Sequence, residues 1–355
     1  MKISVLGCGR WGAFLARSLA NGCHESNTKN QITLWGREQS ANMKALVKEK
    51  QNKYPAEYHM YEVYDDINLE TDLAKALDAD VVLVAISAQN FREFAKQIVA
   101  CNANRESEKV DKQKFMLCMK GLEESTGKSM TEVAIESGIP KNNLAVLWGP
   151  GHVQDIERGN EALMAIDAYE YALAEELKNS LKFKNISFFE GNNVVGAEIT
   201  SAAKNMYGVG AGMLEALNLG NKKFLLMEAG KLETSGLIKK MGGNYNYPYF
   251  YTGNGDFEVT LFSENSNNFR WGEAFIKSEG DAETMKKMKT AEGVASLNAF
   301  AKLSKDFDVQ LPVAEAIHDI VYESAPAETL LDAIEKSGMY EKWGDAFADG
   351  ELFCP

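Results

Sequence analysis

The chain has 355 residues, long for a single core and suited to two domains of roughly 150–200 residues each. Hydrophobic residues make up 45% and charged residues 25%, a balance that excludes a disordered or fibrous chain. Lys+Arg total 38 against 51 Asp+Glu, and the formal net charge of −13 repels nucleic acid and anionic membrane surfaces, so neither is expected as a partner. Residues 2–6 predict a strand, and 13–20 a helix with Leu15 and Leu19 four apart, closed by Asn21-Gly22. A strand over 32–35 and a helix over 39–50 follow. The run Val-Val-Leu-Val-Ala-Ile at 81–86 predicts a nearly continuous apolar strand, with a helix over 90–100 after it. Further strands are expected over 115–119 and 144–147. Apolar strands that each lead into a helix indicate a parallel sheet covered on both faces. The polar stretches 23–30 and 102–112, and part of 51–66, read as loops.

The strand signal ends near residue 196. Helices are expected over 199–217, 224–241, 282–307, 312–324 and 327–337. A tyrosine-rich stretch, 245–251, is followed by Gly253-Asn254-Gly255, which reads as a turn. The organisation is an α/β domain over 1–192 and an all-α domain over 193–355. The five cysteines are widely spaced and form no CxxC pair, which points to free thiols in a reducing compartment, hence the cytoplasm. The four histidines show no metal-ligand spacing, so no metal is expected. Glycines from Gly7 onward interrupt the apolar start, which leaves no signal-peptide core, and no window reaches the length of a membrane span.

The first chemical motif is Gly7-Cys8-Gly9-Arg10-Trp11-Gly12, a GxGxxG between the first strand and the first helix. In that setting the first glycine makes the turn and the second admits a pyrophosphate. The third lets helix and strand pack closely, so the α/β domain is expected to be a doubly wound Rossmann-type sheet. The second strand leads into Gly36-Arg37-Glu38. Arg37 suits the 2′-phosphate of NADP and Glu38 the ribose of NAD, and either is equally well a surface charge. Lys120 follows the strand over 115–119, at the sheet edge where such folds place ligands; it either meets an anion or is simply solvated. Lys204 is the only charged residue between Ile199 and Leu214, in a stretch rich in Ser, Ala and Gly. A buried ammonium there needs a partner or a lowered pKa, and the latter suits a proton donor or acceptor. A lysine reaching to solvent or held in an inert ion pair is the alternative. Asn205 beside it suits a substrate hydroxyl. Asp256 and Thr260, four apart, share a helical face, and Asp256 is the candidate partner for Lys204.

Together these residues resemble the soluble bacterial type of NAD(P)-dependent glycerol-3-phosphate dehydrogenase. The similarity runs through GCGRWGAFLA at 7–16, LWGR at 34–37, KGLEESTGK at 120–128, LWGPGH at 147–152, EITSAAKN at 198–205, GDFEVT at 255–260 and AEGV at 291–294. It implies an N-terminal Rossmann domain and a C-terminal helical domain, often in a homodimer. It also implies interconversion of dihydroxyacetone phosphate and sn-glycerol 3-phosphate by hydride transfer with NAD or NADP. The resemblance puts the general acid/base at Lys204, a second active-site lysine at Lys120, and supporting groups at Asp256 and Thr260. Cofactor contacts fall on Gly7, Gly9, Arg10, Trp11, Gly12, Arg37, Tyr54, Lys120, Val153, Arg270 and Glu292. Substrate contacts fall on Lys120, Gly149, Gly151, Lys204, Asn205, Asp256, Ser266, Asn267 and Asn268. The chain departs from the family pattern where Ser-Arg-Asn becomes Ser266-Asn267-Asn268, and Arg270, Lys222 and Lys223 are the nearby cations. Ala229 likewise stands where the family has an arginine. Three functions are therefore weighed: reduction of dihydroxyacetone phosphate, the same hydride chemistry on another small hydroxyketone, and a dinucleotide-binding scaffold without turnover.

Overall fold

The computed structural model describes residues 1–49, 67–288 and 291–337. The chain divides into two units: Met1–Met119 with Met130–Val194, and Lys120–Ser129 with the residues from Val195 onward.

The first unit is an eight-stranded sheet: β1 (Lys2–Leu6), β2 (Gln31–Trp35), β3 (Ile67–Glu70), β4 (Val81–Val84), β5 (Lys114–Leu117), β6 (Leu144–Trp148), β7 (Ala162–Ala168) and β8 (Ile186–Gly191). The spatial order is β3-β2-β1-β4-β5-β6-β7-β8, so strand order reverses between β1 and β4. Val81–Val84 and Leu144–Trp148 are buried along their whole length, as strands covered on both faces must be. Every pair is parallel except β6 and β7, which run antiparallel. The sheet is thus the mostly parallel one expected, with this one antiparallel pair. Only a five-residue helix, Val153–Glu157, lies between β6 and β7, too little for the crossover that a parallel pair needs. Two strands that the sequence hid, β3 and β8, are the sheet edges, and β8 alternates buried and exposed residues.

Other local expectations change with tertiary context. The first helix runs from Arg10 to Glu25, into a stretch read as a loop. Ser107–Lys112 is also a helix, with Lys112 pairing to Glu108 one turn back. The loop expected over 51–66 lies outside the described residues.

The second unit is helical. Its principal helices are Val194–Ala216, Lys223–Lys240, Tyr251–Leu261, Asn267–Lys277, Glu292–Asp306, Pro312–Tyr322 and Thr329–Lys336. Ala282–Lys287 and Glu292–Asp306 are separate helices where one was expected. Gly253-Asn254-Gly255 is not a turn but the first part of Tyr251–Leu261. The glycine is needed for close approach, since a Cβ on Gly253 would overlap the carbonyl oxygen of Tyr247. The segment Lys120–Ser129 belongs here, although the sequence reading left it in the α/β domain. Leu122 is fully buried in the helical core, and Gly127 lies against Ala299 and Leu303. Among the described residues, no helix is long and apolar enough to cross a membrane.

Candidate active site

In the first unit, β1 ends at Leu6 and the chain turns through Gly7, whose φ of +121° favours glycine. Gly7 N donates to Trp35 O at 2.9 Å, which ties the turn to the end of β2. A Cβ on Gly7 would press on the Ala85 carbonyl beyond β4, and one on Gly12 would overlap the Gly7 carbonyl oxygen. The loop therefore lies at the carboxyl ends of β1 and β4, where strand order reverses, the position at which open α/β sheets bind ligands. Gly9 differs from its two neighbours. A Cβ there would meet nothing within 4 Å, so the second glycine opens on free space. Gly9 also caps the helix starting at Arg10, whose first turn carries no acidic residue. Open space above the helix N-terminus fits a dinucleotide pyrophosphate. Trp11 stacks on Phe14 at 5.3 Å. Arg37 and Glu38 stand exposed just beyond β2. Gly149, with φ +129°, and Gly151, with φ +148°, lead from β6 to the helix headed by Val153. Tyr54 lies outside the described residues.

The second unit holds a buried charge cluster. Helix Val194–Ala216 supplies Lys204, which is 7% exposed, and helix Tyr251–Leu261 supplies Asp256 and Thr260 from one face. Lys204 Nζ donates to Asp256 Oδ1 at 2.8 Å and to Thr260 Oγ1 at 2.9 Å. Lys120 Nζ donates to both Asp256 oxygens at 3.1 Å. One fully buried carboxylate thus holds two ammoniums. Thr260 Oγ1 also donates to Asp256 O at 2.7 Å, which fixes the hydroxyl as an acceptor toward Lys204. The sequence required a partner for Lys204, and Asp256 is that partner. Burial and the nearby Lys204 charge outweigh Asp256 and bring Lys120 down to about 8. Burial pushes Glu292 up to about 7, against the pull of Lys204 and Lys120.

A chain of amides borders the cluster. Asn205 Nδ2 donates to Lys120 O at 3.3 Å, and Asn268 Nδ2 donates to Asn205 Oδ1 at 2.9 Å. Gly293 N completes it by donating to Asn268 Oδ1 at 3.0 Å. The sequence reading missed Gly293 because it placed residue 293 inside one long helix. With the helix starting at Glu292, the Gly293 N–H belongs to the first turn and needs an outside acceptor. Ser266 caps helix Asn267–Lys277 by accepting from Phe269 N at 3.3 Å. Arg270, exposed on that helix, donates from Nη2 to Asn267 Oδ1 at 2.6 Å. Lys120, Lys204, Asn205, Asp256, Thr260, Ser266, Asn267, Asn268, Arg270 and Glu292 therefore all belong to the second unit. Gly7, Gly9, Arg10, Trp11, Gly12, Arg37, Gly149, Gly151 and Val153 belong to the first.

A Rossmann sheet with an open glycine loop, together with a helical unit that holds two lysines on one buried aspartate, defines a dinucleotide-dependent dehydrogenase. The NAD-dependent glycerol-3-phosphate dehydrogenase N-terminal family model matches residues 2–174, and the C-terminal model matches 193–332. A glycerol-3-phosphate dehydrogenase (NAD(P)+) of Lacticaseibacillus paracasei is 30% identical over 353 residues, covering 96% of this chain and 96% of that protein. A protein of the same description from Limosilactobacillus reuteri is 32% identical over 340 residues, covering 94% and 96%. The chain belongs to the NAD-dependent glycerol-3-phosphate dehydrogenase family. A crystal structure of glycerol-3-phosphate dehydrogenase from Coxiella burnetii shares the fold, with a TM-score of 0.79 and 21% identity over 94% of this chain and 98% of that one.

Proposed function

We propose that this chain moves a hydride between NAD(P)H and dihydroxyacetone phosphate, giving sn-glycerol 3-phosphate reversibly, with Lys204 as the general acid and base. The observation that carries the assignment of roles is the buried contact of Lys204 with Asp256 at 2.8 Å. The dinucleotide supplies the hydride. Gly7, Gly9 and Gly12, with Arg10 and Trp11 opening the helix, hold its phosphates, and Arg37 faces the ribose end. Tyr54, Val153, Arg270, Glu292 and Lys120 complete the cofactor contacts. The glycine loop's share of cofactor binding falls to the first unit, Lys120, Arg270 and Glu292 contribute from the second, and proton transfer is the work of the second.

As the carbonyl carbon gains electrons, negative charge grows on its oxygen. The Lys204 ammonium stabilises that charge and delivers a proton. Asp256 aims the ammonium, and Thr260 fixes its second hydrogen bond. Lys120, held at about 8, is suited to restore the proton near neutral pH. Asn205, Ser266, Asn267, Asn268, Gly149 and Gly151 orient the substrate. In the reverse direction neutral Lys204 takes the hydroxyl proton. The enzyme works in the cytoplasm as a homodimer; the four described cysteines are free thiols, in keeping with a reducing compartment.

The test is NAD(P)H oxidation with dihydroxyacetone phosphate by wild type and Lys204→Ala. The variant should lose about 10²–10⁴ in kcat and still bind cofactor. A wild type without turnover, or an unimpaired variant, would refute the assignment. Asn267 motivates a second reading, in which the same chemistry acts on another small hydroxyketone. Arg270 favours the first reading, because its guanidinium rests on Asn267 and brings a cation to that place in the helix. A panel of ketones with and without phosphate separates the two by specificity constant.

A further inference from the structure

The segment Lys120–Ser129 is a small closed loop. Leu122 and Ser129 bridge its two strands, Glu123 N donates to Lys128 O at 2.9 Å, and Gly127 N donates to Glu123 O at 2.8 Å. Its stem carries Lys120, tied by its carbonyl to Asn205 and by its ammonium to Asp256. Its outer turn carries Glu124, which accepts from Asn298 Nδ2 at 2.8 Å across 174 residues. Because the Asn298 amide nitrogen serves a carboxylate, its oxygen must be an acceptor on the other side. There it lies 3.2 Å from His318 Nε2, so this ring nitrogen is the donor. His318 Nδ1 lies 3.1 Å from Asp319 Oδ1, and the ring packs on Tyr322 at 5.1 Å. Nε2 and the ring face are thus engaged, and the imidazole is set on helix Pro312–Tyr322.

Leu122 already anchors the loop by burial, but apolar contacts do not fix rotation about that anchor. The polar chain from helix Pro312–Tyr322 through Asn298 to Glu124 supplies direction at the loop's far end. We infer that Glu124, Asn298 and His318 form a clamp that sets where the Lys120 ammonium sits, and that they are positioning residues for proton transfer. The inference rests on the site proposed above. On this reading the three act on proton transfer through the loop.

The experiment compares Asn298→Ala, His318→Ala, His318→Gln and Lys120→Ala, with Asn298→Ala also made in the Lys120→Ala background. Misplacing a reacting group is costly, so Asn298→Ala and His318→Ala should each lower kcat by about tenfold, with the cofactor KM unchanged. His318→Gln keeps an N–H donor toward Asn298 and should recover most of the rate. In the double variant, Asn298→Ala should add no further loss, because its effect runs through Lys120. A purely structural role would lower the rate equally in both backgrounds and would overturn the clamp, as would unchanged kcat in both alanine variants. If Lys120→Ala itself keeps full kcat, the active-site reading fails and the clamp fails with it. If only Lys120→Ala is impaired, the site stands and the clamp alone is wrong.

Discussion

Asp256→Asn tests the electrostatics of the second unit most directly. The side chain keeps its shape and loses its charge, leaving Lys204 and Lys120 without the carboxylate that both contact. Removing one partner of a buried ion pair costs about 3–5 kcal/mol. Two ammoniums share this partner, so the cost would be greater still if both stayed charged. Lys120 offers relief, because with its pKa already down at about 8 it releases a proton at pH 7 for about 1.4 kcal/mol. Losing Asp256 removes a contact that raises Lys120, so its pKa falls further, each additional unit being worth about 1.4 kcal/mol. Below pH 7 wild-type Lys120 is charged and draws full benefit from Asp256; well above pH 8 it is neutral and draws little. The destabilisation should therefore shrink by about 1–3 kcal/mol between pH 6 and pH 9. Urea unfolding of both proteins across that range measures it. A penalty that is flat with pH, or that grows toward pH 9, would refute the reasoning.

The glycine loop yields a paired prediction. Gly9→Ala should leave stability within about 1 kcal/mol, since φ is −72° and the space is open, while weakening NADH binding by about tenfold. Gly12→Ala should instead destabilise the fold by about 1–3 kcal/mol or more, because its Cβ overlaps the Gly7 carbonyl; equilibrium unfolding and cofactor titration separate the two. Glu233 accepts from Val313 N at 2.7 Å, Tyr207 Oη at 2.7 Å and Ala314 N at 3.2 Å, yet burial pushes its carboxyl up to about 7 from 4.5. The folded state keeps that proton while the unfolded chain releases it, so stability falls by about 3 kcal/mol as pH rises through this window. Glu233→Gln should flatten that slope in a series of melting temperatures against pH.

The parts of this molecule legible in the sequence are those whose physics is local. The buried strands β1, β4 and β6 announce themselves as apolar runs, and the glycine loop by its spacing. Lys204 stood out because a lone charge in an apolar helix needs an explanation, and Asp256 because it sits one helical turn from Thr260. What stayed hidden depends on partners far along the chain. Edge strand β3 is short, and the buried–exposed alternation of β8 does not show in Ile-Ser-Phe-Phe-Glu-Gly, where Phe189 faces out. The antiparallel β7 reads Ala-Leu-Met-Ala, which favours a helix by propensity. Gly253-Asn254-Gly255 has turn composition but lies in a helix, and at Gly253 close packing against Tyr247 and Pro248 admits nothing larger. The shift at Lys120 arises from burial and Lys204, neither visible from its own neighbours in sequence.

The excursion of Lys120–Ser129 into the second unit has a consequence for how the gene can be cut. The second unit is not a contiguous cassette: a fragment starting at residue 193 would lack Lys120 and Leu122, leaving Asp256 with one ammonium and the helical core with a hole. Recombination that exchanged the front half for that of a relative would replace one of the two lysines and its loop while keeping the histidine and amide that grip it. On the clamp proposed above, residues 124, 298 and 318 are expected to be inherited together across any crossover point between them, and a chimera that ignores this should fold on both sides of the junction and turn over slowly.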